Sequence, residues 1–365
     1  MRTSRIWTAS LLAAALTISS CGLGAKDSAS DSGPATTVKP VTVDDLVAKS
    51  KSETKLLIYG NPDEQQWKPV IAAFEAKYPW IDVEALSLGG GETFQRYRSE
   101  EATGSDTADI LVESDGAAWL DFAAAGQVLN YDEPALEDLP DYAELAPGIF
   151  AMSEDPLIAL FNKELLPEDQ QPTTLAGLAE LSADFEGKIG TYEIENALGY
   201  MGTHAYIDEQ GEEGWKVLEE LGPNTKAEAS AATVANKVAQ GEYAASYFLS
   251  GALRKLATGD GSEVLNWRYL TDATSLVPRG IAVTKASNAS NSARLFVNFV
   301  LSKAGQDATC EGGFTPYRTD VDCEFGLSSI EEAVGKDMVI IPTYDTSLLT
   351  DQEAFRSRWN EAFGR

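Results

Sequence analysis

Short apolar segments alternate with amphipathic ones along the first part of this chain, and that alternation constrains the fold more than any other feature. In the segment 65–78 the apolar residues Trp67, Val70 and Phe74 recur every three or four positions, which is the spacing of one helix face. The predicted elements are strands at 55–59, 81–86 and 108–112 and helices at 65–78, 93–102 and 117–125. A β-α-β-α-β-α order predicts a parallel sheet with helices packed on its faces.

The same kind of pattern continues along the chain, so the protein is larger than one ordinary domain. Further strands are predicted at 157–162, 188–192, 244–249 and 280–285, and further helices at 212–221, 231–239 and 292–302. After the N-terminal segment about 320 residues remain, which is more than a single hydrophobic core usually organises. We therefore expect an α/β protein of two lobes, each a mainly parallel sheet flanked by helices.

The first twenty residues have the layout of a secretory signal. Arg2 and Arg5 precede an apolar run at 6–18, which is too short for a convincing membrane-spanning helix. The run ends in ISSC, and this motif resembles the bacterial lipobox, in which the cysteine is lipidated and becomes the new N-terminus. We predict a lipoprotein signal peptide at 1–20, lipidation of Cys21, and an extracytoplasmic location, anchored to the bacterial membrane at the cell surface or in the periplasm. An ordinary signal peptide with an unrelated cysteine is the alternative.

Residues 21–40 differ in composition from everything that follows them. They are mostly small and polar and contain no aromatic side chain, so they bury too little apolar surface to fold by themselves. We predict that they form a flexible tether between the lipidated cysteine and the domain.

Two further cysteines, Cys310 and Cys323, remain in a chain that is predicted to be exported, and an even number favours a disulfide. Their bridge would close a short loop and stabilise the fold by about 3 kcal/mol. Two free thiols are the alternative. With one histidine and no C-x-x-C motif in the whole chain, little in the sequence supports a metal site.

The chain is strongly acidic, with 57 acidic against 28 basic side chains and a formal net charge of −29. Removal of a signal peptide that carries Arg2 and Arg5 would leave 26 basic side chains and a net charge of −31. Such a surface repels the phosphates of nucleic acids and anionic lipid headgroups. Nucleic acid is therefore excluded as a partner.

Catalytic motifs are scarce in this sequence. His204 is the only histidine and no G-x-S-x-G elbow is present, so a nucleophile would lack its base. The acidic pairs Asp63/Glu64 and Glu193/Glu195 could serve a glycosidase, but nothing in their context separates them from solvated loop acids. We predict that the protein is not an enzyme and needs no cofactor. A secreted carbohydrate-active hydrolase is one alternative, and a structural surface lipoprotein that binds no small ligand is another.

Six stretches of the chain carry a family resemblance. They are KLLIYGNPDEQQWKPVIAAFEAKYPWIDVEAL, ADILVESDGAAWLDFAAAGQVLNY, LIALFNKELLP, FEGKIG, VANKVAQGEYAASY and LVPRGIAVTKASNASNSARLFVNFVLSKAGQ. Their order and spacing resemble the extracellular solute-binding proteins of ABC importers, in particular the ferric-iron-binding type. The last stretch contains the family's Phe-Val-x-Phe-x-Leu-Ser-x-x-x-Gln pattern, and the resemblance covers most of 54–325.

The resemblance implies a type II periplasmic-binding-protein fold, in which a ligand cleft lies between two lobes that close about a hinge. It places one lobe at 52–157 plus 276–325, the other at 163–272, and C-terminal helices at 326–365. It also implies a small-molecule ligand, the subunits of an ABC permease as partners, and a monomer. A lipid anchor suits such a receptor because it raises the local concentration at the permease.

The ligand set of the ferric-iron-binding members is only partly present here. Those members hold iron with a His, a Glu, two adjacent tyrosines and a bound anion. On this chain the His position falls at Asp63, the Glu position at Glu92, and the tyrosine pair at Gly251 and Ala252. Because both phenolates are absent, we predict an organic ligand and no bound metal. A ferric-iron or iron-chelate receptor with an altered metal shell is the alternative.

The residues predicted to bind the ligand lie on loops and helix starts that would face the cleft. Acidic loops, among them those with Asp115 and Asp155, favour a cationic or polyhydroxylated ligand, whereas the glycine-rich turn and Arg279 favour an anionic one, and both remain open. Tyr243 and Tyr247 are predicted to share one face of a strand, either in the core or at the ligand. The predicted ligand-binding residues are Asn61, Asp63, Gly90, Gly91, Glu92, Thr93, Asp115, Glu193, Glu195, Asn196, Tyr247, Ser250 and Arg279.

Overall fold

Strands and helices follow one another largely as the sequence pattern predicts. The computed structural model describes residues 41–89 and 91–365, so the predicted signal peptide, Cys21, the tether and Gly90 lie outside the described residues. The strands are β1 (Lys55–Gly60), β2 (Asp82–Ser87), β3 (Ile110–Glu113), β4 (Glu144–Ala146), β5 (Ile149–Asn162), β6 (Ile189–Tyr192), β7 (Thr225–Glu228), β8 (Ala245–Ser246), β9 (Leu249–Ser250), β10 (Leu265–Arg268), β11 (Thr274–Val283) and β12 (Val339–Ile340). The helices are α1 (Val43–Ser50), α2 (Glu64–Lys77), α3 (Glu92–Thr103), α4 (Gly116–Ala124), α5 (Leu175–Leu181), α6 (Ala197–Leu221), α7 (Ala231–Ala239), α8 (Arg254–Thr258), α9 (Ser290–Leu301), α10 (Lys303–Glu311), α11 (Leu327–Val334), α12 (Ser347–Thr350) and α13 (Gln352–Ala362). Within this described part, none of the helices is long and apolar enough to cross a bilayer.

The strands form a mixed sheet in which β5 takes part twice. Their order is β2-β1-β3-β11-β5-β8-β6-β7. β1 is parallel to β2 and β3, β6 is parallel to β7 and β8, and β11 runs antiparallel between β3 and β5. The first half of β5, up to Pro156, pairs with β4 and β11, whereas the second half, from Leu157, pairs with β8, β9 and β10. Two groups of mainly parallel strands therefore meet along β5, which confirms the α/β prediction.

The strands β5 and β11 cross between these two groups, and every residue of both strands is buried. Pro156 lies opposite Leu276 and Pro278 lies opposite Glu154, and the register shifts immediately after Arg279. The N–H of Glu154 is bonded to Thr315 and the carbonyl of Pro278 to Tyr344, so this pair of residues makes no ladder hydrogen bonds. The two prolines therefore lie where the β5–β11 ladder needs no N–H from them.

Two segments differ from the sequence-based predictions. The strand predicted at 244–249 is two short strands, β8 and β9, because Phe248 between them has a φ of 56°, a left-handed conformation that interrupts a strand. Tyr243 and Tyr247 therefore do not lie on one continuous strand. The helix predicted at 212–221 is the second half of α6, whose axis breaks at Gly211, where φ is 59° and ψ is −136°.

A buried glutamine joins β5 to the helices α9 and α10. Gln306 is fully buried, and its Nε2 donates hydrogen bonds to the backbone oxygens of Met152 and Val300 at 2.8 and 3.0 Å. Its Oε1 accepts a hydrogen bond from the backbone N–H of Tyr317 at 3.3 Å. One side chain therefore satisfies three backbone groups that have no access to water.

Cys310 and Cys323 form the predicted disulfide, with their sulfur atoms 2.01 Å apart. The bridge connects the last turn of α10 to the segment that precedes α11. Between the two cysteines, Thr315 pairs with Glu154 of β5 through an isolated antiparallel bridge. The disulfide loop is therefore held at both ends and also along one of the crossing strands.

The C-terminal segment, defined as residues 339–365, is packed against both groups of strands. β12 pairs with β11 at its first two residues. The hydroxyl of Tyr344 donates a hydrogen bond to the backbone oxygen of Pro278 at 2.9 Å, and the hydroxyl of Tyr200 in α6 donates one to the backbone oxygen of Leu348 at 3.2 Å. The segment is thus attached to a crossing strand and to α6 at the same time.

Candidate functional site

Open α/β proteins bind their ligands at the carboxyl ends of parallel strands, and several of the predicted site residues lie at such positions. Asn61 follows β1, Asp115 lies two residues after β3, and Glu193 follows β6. Asp155 and Arg279 lie on the crossing strands β5 and β11. The candidate site is therefore at this crossing, where both groups of strands contribute side chains.

Arg279 is the centre of the site and is only 8% exposed. Its Nε donates a hydrogen bond to Oδ1 of Asn61 at 3.1 Å, and its Nη1 donates one to Oγ of Ser153 at 3.3 Å. Its Nη2 lies 3.7 Å from Oδ2 of Asp155, and the guanidinium carbon lies 5.3 Å from the ring centre of Phe314. These contacts hold the guanidinium in one orientation, with Asp155 as the one described carboxylate within 4 Å.

Asp155 connects the crossing strand β5 to the second group of strands. Its Oδ1 accepts hydrogen bonds from Oγ of Ser250 and from the backbone N–H of Gly251, both at 3.0 Å, and its Oδ2 accepts from Oγ of Ser250 at 2.8 Å. Both carboxylate oxygens are therefore engaged within the protein. Three predicted ligand-binding residues, Asn61, Ser250 and Arg279, are brought together around this aspartate.

A second buried arginine, Arg254, was not among the predicted site residues. It is 2% exposed, its Nη1 donates a hydrogen bond to the backbone oxygen of Gly251 at 2.8 Å, and its guanidinium carbon lies 3.8 Å from the ring centre of Phe325. Its Nε is buried without a hydrogen-bond partner in the described part of the chain. Burial lowers the pKa of Arg254, but a guanidinium stays charged at neutral pH. One feature of the sequence could have pointed to Arg254. It lies two residues after Ala252, the position at which the ferric-iron-binding type has its second tyrosine.

A small cavity of about 10 Å³ lies between these groups. That volume has room for about one water molecule. The cavity is lined from both sides of the crossing, by Gln66, Glu154, Asp155, Ala252, Arg254, Arg279, Gly313, Phe314 and Thr315. In this conformation the cavity has no room for a solute of several atoms.

Two buried glutamates lie near the arginines. Glu113 accepts a hydrogen bond from Oγ1 of Thr93 at 2.7 Å, and burial raises its pKa to about 7 despite that bond. Glu154 is 1% exposed, neither of its carboxylate oxygens has a partner among the described residues, and burial raises its pKa well above the usual value. Both side chains therefore carry less negative charge near neutral pH than exposed glutamates do.

The raised pKa of Glu113 predicts that stability falls as the pH rises. Between pH 4.5 and about 7 the folded state holds a proton that the unfolded state releases, so stability is greatest below this window and lower above it. The expected loss is up to about 3 kcal/mol across the window. Urea unfolding of the wild type and of Glu113→Gln at pH 5 and pH 8 measures it. From pH 5 to pH 8 the wild type should lose stability relative to Glu113→Gln.

Several predicted site residues act as helix caps. Side-chain oxygens of Asp63, Asp115 and Asn196 accept hydrogen bonds from backbone N–H groups at the starts of α2, α4 and α6. Gly91, with a φ of 80°, precedes α3 in a left-handed conformation that favours glycine. Burial raises the pKa of Asp115 above its ordinary value. These residues shape the edges of the site but are not gathered around Arg279.

The remaining predicted residues lie at the surface or in the core. Glu92 and Glu195 are exposed, and Glu193 forms an ion pair with Arg365 at 3.7 Å. Tyr247 is 1% exposed and packs against its neighbour Phe248, and its hydroxyl has no hydrogen-bond partner among the described residues. This side chain is therefore part of the core in the present conformation.

The described residues contain no cluster of side chains suited to a metal ion. Across 41–89 and 91–365, no group of three or more His, Cys, Asp and Glu side chains is arranged to hold a metal ion. Asp63, at the position of the iron-binding His, accepts the backbone N–H of Gln66 at 2.9 Å. His204 packs between Tyr200 and Phe355, and burial lowers its pKa.

A much larger cavity in the described part of the chain lies elsewhere. It measures about 720 Å³, and Tyr142, Tyr317 and Leu327 are among its lining residues. Neither Arg254 nor Arg279 lines it. The site is therefore assigned by charge and hydrogen bonding, and not by cavity size.

A comparison with protein families identifies the chain. A family model described as bacterial extracellular solute-binding protein matches residues 70–326, which is more than half of the chain. The chain belongs to this family. The members of the family are solute receptors and not enzymes, and their extracellular role agrees with the predicted location outside the cytoplasm. No curated protein matches this solute-binding protein in sequence.

Solved structures confirm the two-lobed periplasmic-binding-protein fold of this solute-binding protein. The substrate-binding protein of an ABC transporter from Agrobacterium tumefaciens is 21% identical with a TM-score of 0.73, and the match covers 87% of this chain and 97% of that one. Iron-bound HitA from Pseudomonas aeruginosa is 19% identical with a TM-score of 0.67, covering 85% and 99% of the two chains. The periplasmic binding protein AfuA from Actinobacillus pleuropneumoniae, with fructose-6-phosphate bound, is 19% identical with a TM-score of 0.67, covering 86% and 99%.

Proposed function

We propose that this solute-binding protein is the lipid-anchored extracytoplasmic receptor of an ABC importer, and that its ligand is a small organic molecule with an anionic group. The observation that carries the ligand class is the pair of buried arginines, Arg254 and Arg279. Asp155, at 3.7 Å, is the one described carboxylate within 4 Å of Arg279, and Arg254 forms no ion pair with any described residue. A buried guanidinium without a matching carboxylate favours a ligand that supplies one.

The neighbouring acids do not cancel this positive charge. Burial raises the pKa values of Glu113 and Glu154, so both lose part of their negative charge near neutral pH. Asp155 is the one described carboxylate within 4 Å of Arg279, and its oxygens also accept hydrogen bonds from Ser250 and Gly251. Two guanidiniums therefore share one close carboxylate, and the carboxylate or phosphate group of a ligand matches a guanidinium in both charge and geometry.

The two named relatives with bound solutes offer a choice between iron and a sugar phosphate. HitA is described as iron-bound, and AfuA as bound to fructose-6-phosphate. This chain has Gly251 and Ala252 where the iron-binding type has two tyrosines, and it adds Arg254 close by. The residues at the crossing thus support an organic anion over a ferric ion.

We propose that the solute binds between a lobe at 52–157 plus 276–325 and a lobe at 163–272, with 326–365 as C-terminal helices. The pairing of β1, β2 and β3 on one side of β5, and of β6, β7 and β8 on the other, supports this division. Because the present cavity admits about one water molecule, uptake requires the lobes to separate about the crossing strands. The receptor acts as a monomer that delivers its solute to the permease subunits.

Native mass spectrometry tests the ligand class directly. Residues 22–365 are purified from an exporting host without refolding, and the mass is compared before and after mild denaturation. An excess mass that matches an organic acid or a phosphate ester supports the proposal, whereas a mass that matches iron contradicts it. If the protein carries no solute, it is titrated with inorganic phosphate, and saturable binding is the expected result.

Replacing Cys21 with serine tests the anchor. The variant should leave the membrane fraction and keep the solute affinity of the wild type, because the tether separates the anchor from the domain that starts at residue 41. Cell fractionation with immunoblotting measures the first effect and calorimetry the second. Retention of the variant in the membrane fraction would contradict lipidation, and a loss of affinity would contradict the separation of anchor and domain.

A further inference from the structure

Arg356, on the C-terminal helix α13, is a half-buried cation that forms no ion pair within the described part of the chain. Its Nε is buried and makes no hydrogen bond there, and no described carboxylate forms an ion pair with it. Arg358, two residues further on, is different, because its guanidinium binds both carboxylate oxygens of Glu212 at 2.7 Å. A half-buried guanidinium that has no close carboxylate can bind an anion directly.

Arg356 lies between the starts of α4 and α6, two helices that border the site. Its guanidinium carbon lies 5.3 Å from the ring centre of Tyr200, in the second turn of α6. Its charge also acts on the carboxylate of Asp115, which caps α4. α4 follows the carboxyl end of β3 and α6 follows that of β6, and these are the ends at which α/β proteins bind solutes.

The C-terminal segment, which includes Arg356, is held against the site at Tyr344. A Cβ on Gly116, the first residue of α4, would lie 2.9 Å from the ring of Tyr344, so only glycine lets the C-terminal segment approach this closely. The hydroxyl of Tyr344 is bonded to the backbone oxygen of Pro278, the neighbour of Arg279 in the chain. Contact with the site therefore extends without a break from Arg279 to the C-terminal segment.

We propose that Arg356 is a further ligand-binding residue, which holds an anionic group of the solute at the edge of the site between α4 and α6. The inference rests on the proposed function and narrows the ligand class. A solute that meets both Arg279 and Arg356 has two separated anionic groups, as in a dicarboxylic acid or a phosphorylated acid. The family model ends at residue 326, so α13 and its arginine are a feature of this chain outside the family match.

Arginine footprinting and calorimetry with inorganic phosphate as the probe test this assignment. Phosphate should slow the reaction of Arg356 with phenylglyoxal about tenfold, as measured by peptide mass spectrometry, and leave Arg358 unaffected. The wild type should bind two phosphate ions, one at Arg279 and one at Arg356. Arg356→Gln should weaken the binding of the second ion about tenfold, and Arg356→Lys, which keeps the charge, should stay within about threefold of the wild type. Arg358→Gln is the matched control on the same helix and should bind phosphate normally.

The outcomes separate this inference from the function on which it rests. In one outcome phosphate binding depends on Arg279, Arg356 is not protected from phenylglyoxal, and Arg356→Gln binds phosphate as tightly as the wild type. This outcome overturns the role of Arg356 and leaves the proposed function standing. A wild type without saturable phosphate binding overturns both. A purely structural role would lower the melting temperature of Arg356→Gln without changing its phosphate affinity, which is why both quantities are measured.

Discussion

Replacing Arg279 with glutamine should weaken the binding of inorganic phosphate about 100-fold, since hydrogen bonds to charged groups are worth roughly 1.5–3 kcal/mol each and one guanidinium offers two of them. The wild-type side chain is already oriented by Asn61 and Ser153, so little conformational entropy is lost when an anion binds. Glutamine keeps hydrogen-bonding capacity but removes the charge. Isothermal titration calorimetry of the two proteins at the same ionic strength measures the effect.

Two further variants show whether this effect is specific to the site. Arg98→Gln removes an exposed arginine that pairs with Asp121, and it should bind phosphate like the wild type. Arg279→Lys keeps the charge but loses the two-pronged geometry, so its affinity should lie between those of the wild type and Arg279→Gln. Equal affinities for the wild type and Arg279→Gln would show that the anion binds elsewhere.

Replacing Gln306 with leucine should lower the free energy of unfolding by about 3–5 kcal/mol, because each buried backbone group that loses its partner costs about 1–3 kcal/mol. The leucine has a similar volume, so the effect comes from lost hydrogen bonds and not from a cavity. The backbone groups of Met152, Val300 and Tyr317 would all be left without this partner. Urea unfolding followed by tryptophan fluorescence measures the change.

The matched control for this variant is Gln240→Leu, at an exposed position at the end of α7. It should change the stability by less than about 0.5 kcal/mol, as surface substitutions usually do. A comparably small change in Gln306→Leu would mean that water or a rearranged loop satisfies the three backbone groups. In that case Gln306 would not be needed to join β5 to its neighbouring helices.

Local patterns predict the elements of this fold well where the apolar spacing is regular. The strand at 55–59 and the helices at 65–78 and 231–239 agree with the structure to within a residue or two, because each buries one continuous face. The first half of α6 was not predicted, since ALGYMGTHA contains two glycines and little helix propensity of its own. Its helical conformation depends on packing, as the burial of Tyr200 and Tyr206 indicates.

The candidate site could be predicted only in part because its contacts are long-range. Asn61 and Arg279 are 218 residues apart in the chain, and Asp155 and Ser250 are 95 apart. The family resemblance drew attention to Asn61, Ser250 and Arg279 individually, but no local pattern indicates that Asp155 would join two of them. Arg254 was missed for the same reason, since its burial depends on the distant Phe325.

The prolines at the crossing of β5 and β11 have a consequence for the outer sides of these strands. Because their backbone groups face away from the β5–β11 ladder, Pro156 and Pro278 leave that ladder intact but offer no N–H to a strand on the other side. Each crossing strand changes its outer partner there: β5 passes from the bridge with Thr315 to β9, and β11 passes from β12 to β3. Asp155 and Arg279, the immediate neighbours of these prolines in the chain, therefore lie where both strands pass from one group of strands to the other.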